Sequence, residues 1–171
     1  MYFVAGNHEY WDPAFEGLIA LFNKYGVNWL VDQNQVINVN GNIINVAGLD
    51  DSEGYFFWNR SLTSLERLNN IHFNSNYLSI LLSHRPELDY FYRESNFDLI
   101  FVGHAHGGQV RIPFFNQGIY APNQGLFPRY TRGVYTLNEN TKMIVSTGLD
   151  VNYLPRVFNR PELVIVDIIS E

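Results

Sequence analysis

Three apolar segments of this chain each lead directly into a polar corner that contains histidine. The corners are Gly6-Asn7-His8-Glu9, Ser83-His84-Arg85-Pro86 and Gly103-His104-Ala105-His106-Gly107-Gly108-Gln109. Short apolar runs that stop at glycine or proline are typical of buried strands. Because ligands in open α/β sheets bind outside the carboxyl ends of the strands, the pattern predicts a ligand site that contains four of the five histidines.

Helix and strand signals alternate between these corners. Helices are predicted from Asp12-Pro13 to Gly26, over residues 62–71, and from Pro86 onward. Strands are predicted over residues 2–5, 36–39, 43–46, 77–82, 97–102, 134–137, 143–147 and 163–169. This mixture of helix-linked strands and hairpins indicates an α/β layered domain with a mixed sheet or two sheets.

Composition excludes several classes of protein. A length of 171 residues fits one domain, and 46% hydrophobic with only 16% charged residues excludes disorder. The net charge of −6 argues against general nucleic-acid binding, which needs a basic face. The absence of cysteine excludes disulfides, thiolate zinc sites and iron–sulfur ligation. The chain has no signal peptide or membrane-span pattern, which leaves its location open between cytoplasmic and membrane-associated.

Each corner taken alone has an ordinary structural explanation. Asn7 and His8 could form a simple turn, and His84 could be a core histidine that bonds a backbone carbonyl. The pair His104 and His106, held between glycines, suits metal ligation better, although a lone His-x-His leaves both interpretations open. Three such corners together favour a metal site. Imidazole and amide donors without thiolate suit Mn, Fe, Zn or Ni.

The three corners, in this order and spacing, resemble the later motifs of calcineurin-like metallophosphoesterases. The Gly-His-x-His-Gly-Gly-Gln form is similar to a bacterial branch of that superfamily, as are Gly48-Leu49-Asp50-Asp51 and Asn159-Arg160-Pro161-Glu162. The resemblance covers essentially the whole chain. It implies a layered α-β-β-α sandwich with mixed sheets, formed as a single metallophosphoesterase domain over residues 1–171.

The family pattern begins with Asp-x-His and Gly-Asp-x-x-Asp motifs upstream of Gly-Asn-His-Glu. Met1 stands only five residues before Gly6, and neither motif occurs later in the chain. We therefore expect a partial domain without its first strands, from a fragment, a split gene or a misplaced start. An unpaired sheet edge should then cause self-association by dimerisation, strand exchange or aggregation.

The resemblance assigns a role to each polar residue of the corners. Asn7, His84 and His104 would bind one of two divalent metal ions, and His106 would bind the other. The bridging carboxylate would come from the missing motifs, so this chain alone should hold at most one weakly bound ion. In the family, a metal-bridging hydroxide attacks the phosphoester, and His8 would act as acid to the leaving group.

The substrate is less constrained than the reaction. The branch implies a small-molecule, lipid-linked or nucleotide-like phosphoester, with diesters favoured over monoesters. Arg85 and Arg132 are candidates for binding the phosphate, while an ion pair with a neighbouring carboxylate is the ordinary alternative for both. Asp50 and Asp51 are either turn residues after a strand or, if this chain binds two ions, the missing bridge.

Two other functions compete with a two-metal hydrolase. The chain could be a truncated or degenerate module that binds metal without turnover. It could also hold a mononuclear histidine site of another class, such as a metal-dependent oxygenase. That second alternative needs a carboxylate ligand, whereas the corners pair histidine with asparagine.

Overall fold

The computed structural model describes residues 1–57, 62–115, 117–149 and 155–169. Its strands are β1 (Tyr2–Phe3), β2 (Asn28–Trp29), β3 (Gln33–Val39), β4 (Asn42–Gly48), β5 (Leu78–Leu82), β6 (Leu99–Val102), β7 (Tyr120–Ala121), β8 (Gly125–Leu126), β9 (Gly133–Thr136) and β10 (Lys142–Val145). Its helices are α1 (Asn7–Trp11), α2 (Phe15–Tyr25), α3 (Ser52–Phe57), α4 (Ser64–Asn70) and α5 (Asp89–Arg93). No helix in these ranges is long and apolar enough to span a membrane.

A six-stranded mixed sheet forms the framework, in the order β3-β4-β5-β6-β10-β9. The four inner strands run parallel, and β3 and β9 close the two edges as antiparallel partners. Parallel strands bring their carboxyl ends to one edge of the sheet. That edge therefore collects the segments that follow β4, β5, β6 and β10.

The inner strands β5 and β6 are buried on one face of the sheet and half-buried on the other. Leu81, Ile100 and Met143 are fully buried and belong to one apolar cluster with Tyr92 and Phe97. Near-continuous apolar runs are expected for strands buried on both faces, whereas Ile80, Leu82 and Phe101 on the other face are half-buried. A second, smaller cluster lies under α1 and α2 and contains the three buried residues Ala5, Tyr10 and Phe15.

The predicted mixed α/β architecture is confirmed, with strand boundaries shifted by a few residues. The helix expected from Pro13 begins only at Phe15, because the Asp12 side chain accepts a hydrogen bond from the Ala14 N–H (2.8 Å) and turns the chain first. The helix α1 over Asn7–Trp11 was not predicted, since the corner carries glycine and asparagine, which favour turns.

The strand expected over residues 163–169 does not form. Leu163, Ile165 and Ile169 are at least 77% exposed, and no strand is assigned among residues 155–169. An apolar alternation specifies a strand only when a neighbouring strand can accept its hydrogen bonds. Self-association through an exposed edge stays a prediction.

Truncating a buried side chain of the central sheet should destabilise the fold far more than truncating one at its edge. Ile100→Ala, at a fully buried position of β6, should lower the free energy of unfolding by about 2–5 kcal/mol, because it leaves a cavity. The matched change Val134→Ala, on the exposed face of the edge strand β9, should cost less than about 1 kcal/mol. Urea unfolding measures both, and equal losses would contradict this assignment of the core.

Candidate metal centre

The three histidine corners bring donor atoms from distant parts of the chain into one cluster. Asn7 Oδ1 lies 2.8 Å from His84 Nε2 and 3.1 Å from His104 Nδ1, and the two ring nitrogens are 3.0 Å apart. Metal–ligand bonds of about 2.1 Å at right angles place neighbouring donors about 3.0 Å apart. The spacing of the three atoms therefore fits one face of a metal coordination shell.

The cluster is built from uncharged donors. No group of three or more His, Cys, Asp or Glu side chains with metal-binding geometry occurs within the described ranges. The third donor at this site is instead the amide oxygen of Asn7. An ion bound here would gain no charge neutralisation from these three ligands.

His8 and His106 lie beside the cluster, in the same cavity. Their ring centroids are 5.7 Å apart, and His8 also stacks on Trp11 with centroids 5.4 Å apart. The cavity has a volume of about 830 Å³. Apolar side chains of α2 form one wall, and the segment Ser146 to Gly148 after β10 forms another. The structure thus brings all four corner histidines to one cavity and leaves the fifth, the exposed His72, elsewhere.

A close approach of backbone to ring fixes His84 against α1. A Cβ added at Gly6 would lie 2.5 Å from a ring carbon of His84, so only glycine leaves room for the imidazole. The Gly6 N–H donates to Glu9 Oε2 at 2.7 Å, which closes the first turn of α1. The opposite side of this helix is anchored by Tyr10, whose hydroxyl donates to Asp50 Oδ2 at 2.5 Å.

Arg85, next to His84, is held by acidic groups. It forms a two-point contact with Asp51 at 2.8 and 2.9 Å, and Glu53 and Glu87 lie within 3.8 Å. Burial alone would raise the pKa of Asp51, but the hydrogen bonds from Arg85 lower it below its usual value. This contact ties the corner after β5 to the corner after β4. Phosphate binding by Arg85 stays a prediction.

The loop that carries His104 and His106 is held in an unusual backbone conformation. Both histidines have positive φ, at 59° and 47°, a conformation that costs energy in residues other than glycine and is often found at functional sites. Asn159 stabilises the loop from the C-terminal segment, donating from Nδ2 to the carbonyls of His106 (2.6 Å) and Gln109 (3.1 Å). A Cβ at Gly107 would collide with Asn159, at 2.1 Å.

The outer nitrogen of His104 has a partner that the sequence did not suggest. His104 Nε2 lies 3.0 Å from Asn123 Oδ1, in the turn between β7 and β8. From sequence, Asn123 is an ordinary turn residue between Pro122 and Gly125, and nothing nearby marks it as part of a site.

Arg132 is half-exposed and pairs with Glu162 at 2.7 Å, so phosphate binding by Arg132 also stays a prediction.

Burial keeps the clustered imidazoles neutral. It lowers the pKa of His84 to about 3, with a further contribution from His104, and it also lowers the pKa of His104. Neutral imidazole is the form that binds metal. Burial favours the neutral form of Asp50 as well, and it raises the pKa of this carboxyl to about 6 despite the hydrogen bond from Tyr10.

Comparison with known proteins identifies the family of this chain. The family model for calcineurin-like phosphoesterases matches residues 1–108, and the chain belongs to that family. An uncharacterized metallophosphoesterase of Campylobacter jejuni is 35% identical over 98% of this chain and 41% of its own length.

Two further relatives have more specific names. A UDP-2,3-diacylglucosamine pyrophosphatase of Chlamydia muridarum is 27% identical over 81% of this chain and 41% of its own length. A phosphodiesterase of Escherichia coli is 29% identical over 53% of this chain and 32% of its own length. The chain thus spans less than half the length of each of these three relatives. No solved structure matches it.

Substituting Gly6 should weaken metal binding by displacing His84. Gly6→Ala places a methyl group in the ring position, so we expect affinity for Mn²⁺ or Zn²⁺ to fall by at least about tenfold, as when other supports of metal ligands are removed. Gly17→Ala in α2, where a Cβ meets nothing within 4 Å, is the matched control and should keep the affinity. Calorimetric titration with the metal distinguishes the two, and unchanged affinity in Gly6→Ala would contradict the packing argument.

The raised pKa of Asp50 predicts a pH-dependent contribution to stability. A carboxyl whose pKa is higher in the folded than in the unfolded state stabilises the fold below about pH 4, and this contribution is lost as the pH rises through about 6. The stability of the wild type relative to Asp50→Asn should therefore fall by about 2–3 kcal/mol between pH 4 and pH 7. Urea unfolding of both proteins across this range measures it. A constant difference would show that Asp50 does not titrate in this way.

Proposed function

We propose that this protein is a metal-dependent phosphoester hydrolase that acts preferentially on diesters, with His8 as the acid for the leaving group. The observation that carries the proposal is the cluster of Asn7 Oδ1, His84 Nε2 and His104 Nδ1 at mutual distances of 2.8–3.1 Å. Membership of the calcineurin-like family supports the reaction class.

Asn7, His84 and His104 would hold one divalent ion, and His106, in the same cavity, would contribute to a second. Such ions neutralise the phosphate and lower the pKa of a bound water. Mn, Fe, Zn and Ni all accept imidazole and amide ligands. Because the three clustered donors carry no charge, we expect these residues alone to bind an ion weakly.

We propose that His8 acts on the substrate rather than binding metal. It is an exposed residue of the cavity wall, one position after Asn7. Stacking against Trp11 at 5.4 Å orients its ring. A protonated imidazole in this position would donate a proton to the departing alkoxide oxygen.

The cavity suits a substrate with both apolar and anionic parts. Phe15, Leu18 and Leu21 form an apolar wall of α2, and the histidines face the same space. One relative is named a UDP-2,3-diacylglucosamine pyrophosphatase, and another is named a phosphodiesterase. We therefore propose lipid-linked or nucleotide-like phosphodiesters as the substrate class.

A metal-binding module without turnover is the second candidate. The observation in its favour is that the clustered donors include no carboxylate that could join two ions. Assaying hydrolysis of phosphomonoesters and diesters with Mn²⁺, Fe²⁺, Zn²⁺ and Ni²⁺, with and without the gene region that precedes Met1, separates the candidates. Metal binding without hydrolysis in both forms would favour the module.

Variants of two histidines should separate catalysis from metal binding. In a form that hydrolyses diesters, His8→Ala should slow turnover of substrates with poor leaving groups by about 10²–10⁴-fold while metal content is retained. His104→Ala should instead reduce metal content, because it removes a ligand. His72→Ala, at an exposed site outside the cavity, is the control and should change neither.

Steady-state rates with alkyl and aryl diesters, together with metal analysis of each variant, make this test. An acid is needed less when the leaving group is already stable, so the defect of His8→Ala should shrink with aryl esters. Equal loss of metal in His8→Ala and His104→Ala would reject the acid role.

A further inference from the structure

We propose that Asn123 is a positioning residue that holds His104 in the tautomer needed to present Nδ1 to a metal. The proposal rests on the proposed function only in supposing that a metal is bound at this cluster. It concerns a residue outside the histidine corners, in the turn between β7 and β8.

The hydrogen-bonding capacity of the two atoms fixes the direction of the contact. Asn123 Oδ1, 3.0 Å from His104 Nε2, is a carbonyl oxygen and can only accept, so Nε2 must carry the proton. A neutral imidazole has a single N–H. His104 Nδ1 therefore has a free lone pair, and it faces Asn7 Oδ1 and His84 Nε2 at 3.1 and 3.0 Å.

The turn that carries Asn123 is itself held in place. Tyr120 pairs with Leu126 and Ala121 with Gly125 across the hairpin. The neighbouring Gln124 makes two hydrogen bonds with the backbone of Tyr130, at 2.8 and 2.9 Å. Asn123 has φ of 60°, a conformation that asparagine tolerates. The acceptor is thus preorganised by backbone pairing, although Asn123 itself lies at the surface.

Among the described residues, Glu87 provides the only carboxylate within 4.0 Å of His104 Nε2. Its Oε1 is 3.8 Å away, beyond hydrogen-bonding distance, and neither carboxylate oxygen has a hydrogen-bond partner there. Carboxylates commonly orient metal-binding histidines. Glu87 therefore provides a matched control, since it lies on the same side of the ring at a distance too long for this role.

Three variants of the 171-residue chain test the proposal. Asn123→Gly removes the acceptor while suiting the positive φ. Asn123→Asp retains an acceptor oxygen and should rescue the interaction, and Glu87→Gln is the control. Nitrogen-15 NMR of the histidine rings in metal-free protein reports the His104 tautomer, and titration with Mn²⁺ or Zn²⁺ alone reports affinity.

We expect His104 to be protonated at Nε2 in the wild type, in Asn123→Asp and in Glu87→Gln. In Asn123→Gly the tautomers should become mixed, and metal affinity should fall by about 10–100-fold. The Asn123→Asp protein should bind metal at least as tightly as the wild type, because a carboxylate makes the ring a more basic ligand.

An unchanged tautomer in Asn123→Gly, or a tautomer change caused by Glu87→Gln, would overturn the proposal. If Asn123→Gly does not fold, two other results would overturn the proposal. One is a wild-type His104 that is protonated at Nδ1, and the other is weaker metal binding by Asn123→Asp. The tautomer is read without metal, so a failure of the whole chain to bind metal would count against the proposed function and leave the role of Asn123 standing.

Discussion

The candidate site depends on two imidazoles, the half-buried His84 and the buried His104, whose ring nitrogens lie 3.0 Å apart. Two positive charges at that distance would repel strongly, so both rings stay neutral, and burial lowers the pKa of each. The amide oxygen of Asn7 completes a group of donors without charge. Either a proton on His84 Nε2 or a metal ion can lie among these donors, because a neutral imidazole keeps one N–H that Asn7 Oδ1 can accept.

The corners that carry His84 and His104 are supported by separate parts of the fold. Gly6 gives the His84 ring the space it needs, the contact between Asp51 and Arg85 links the corners after β4 and β5, and Asn159 holds the loop after β6. These supports come from elements that are far apart in sequence and meet only at one edge of the sheet. Displacing any one of them should misplace a donor.

Burial differs among the residues to which the proposed function gives binding and reacting roles. Asn7 and His104 are buried and point into the donor cluster, whereas His8 is exposed and reaches the open space beside it. A metal ligand gains from exclusion of water, while an acid must meet the substrate. Arg85 and Arg132, which are the obvious cations from sequence, are both paired with carboxylates.

The sequence by itself determined most of the apolar strands, the corners that follow them and the identity of the histidines at the site, because these depend on local apolar runs and on glycine. Only the tertiary structure decided which nitrogen of each ring faces the cluster, that Asn123 bonds His104, and that Arg85 is paired with Asp51. It also decided that residues 163–169 form no strand despite their apolar character. Local pattern fixes which conformation a segment prefers, but the partner of a hydrogen bond or ion pair is set by segments that meet only after folding.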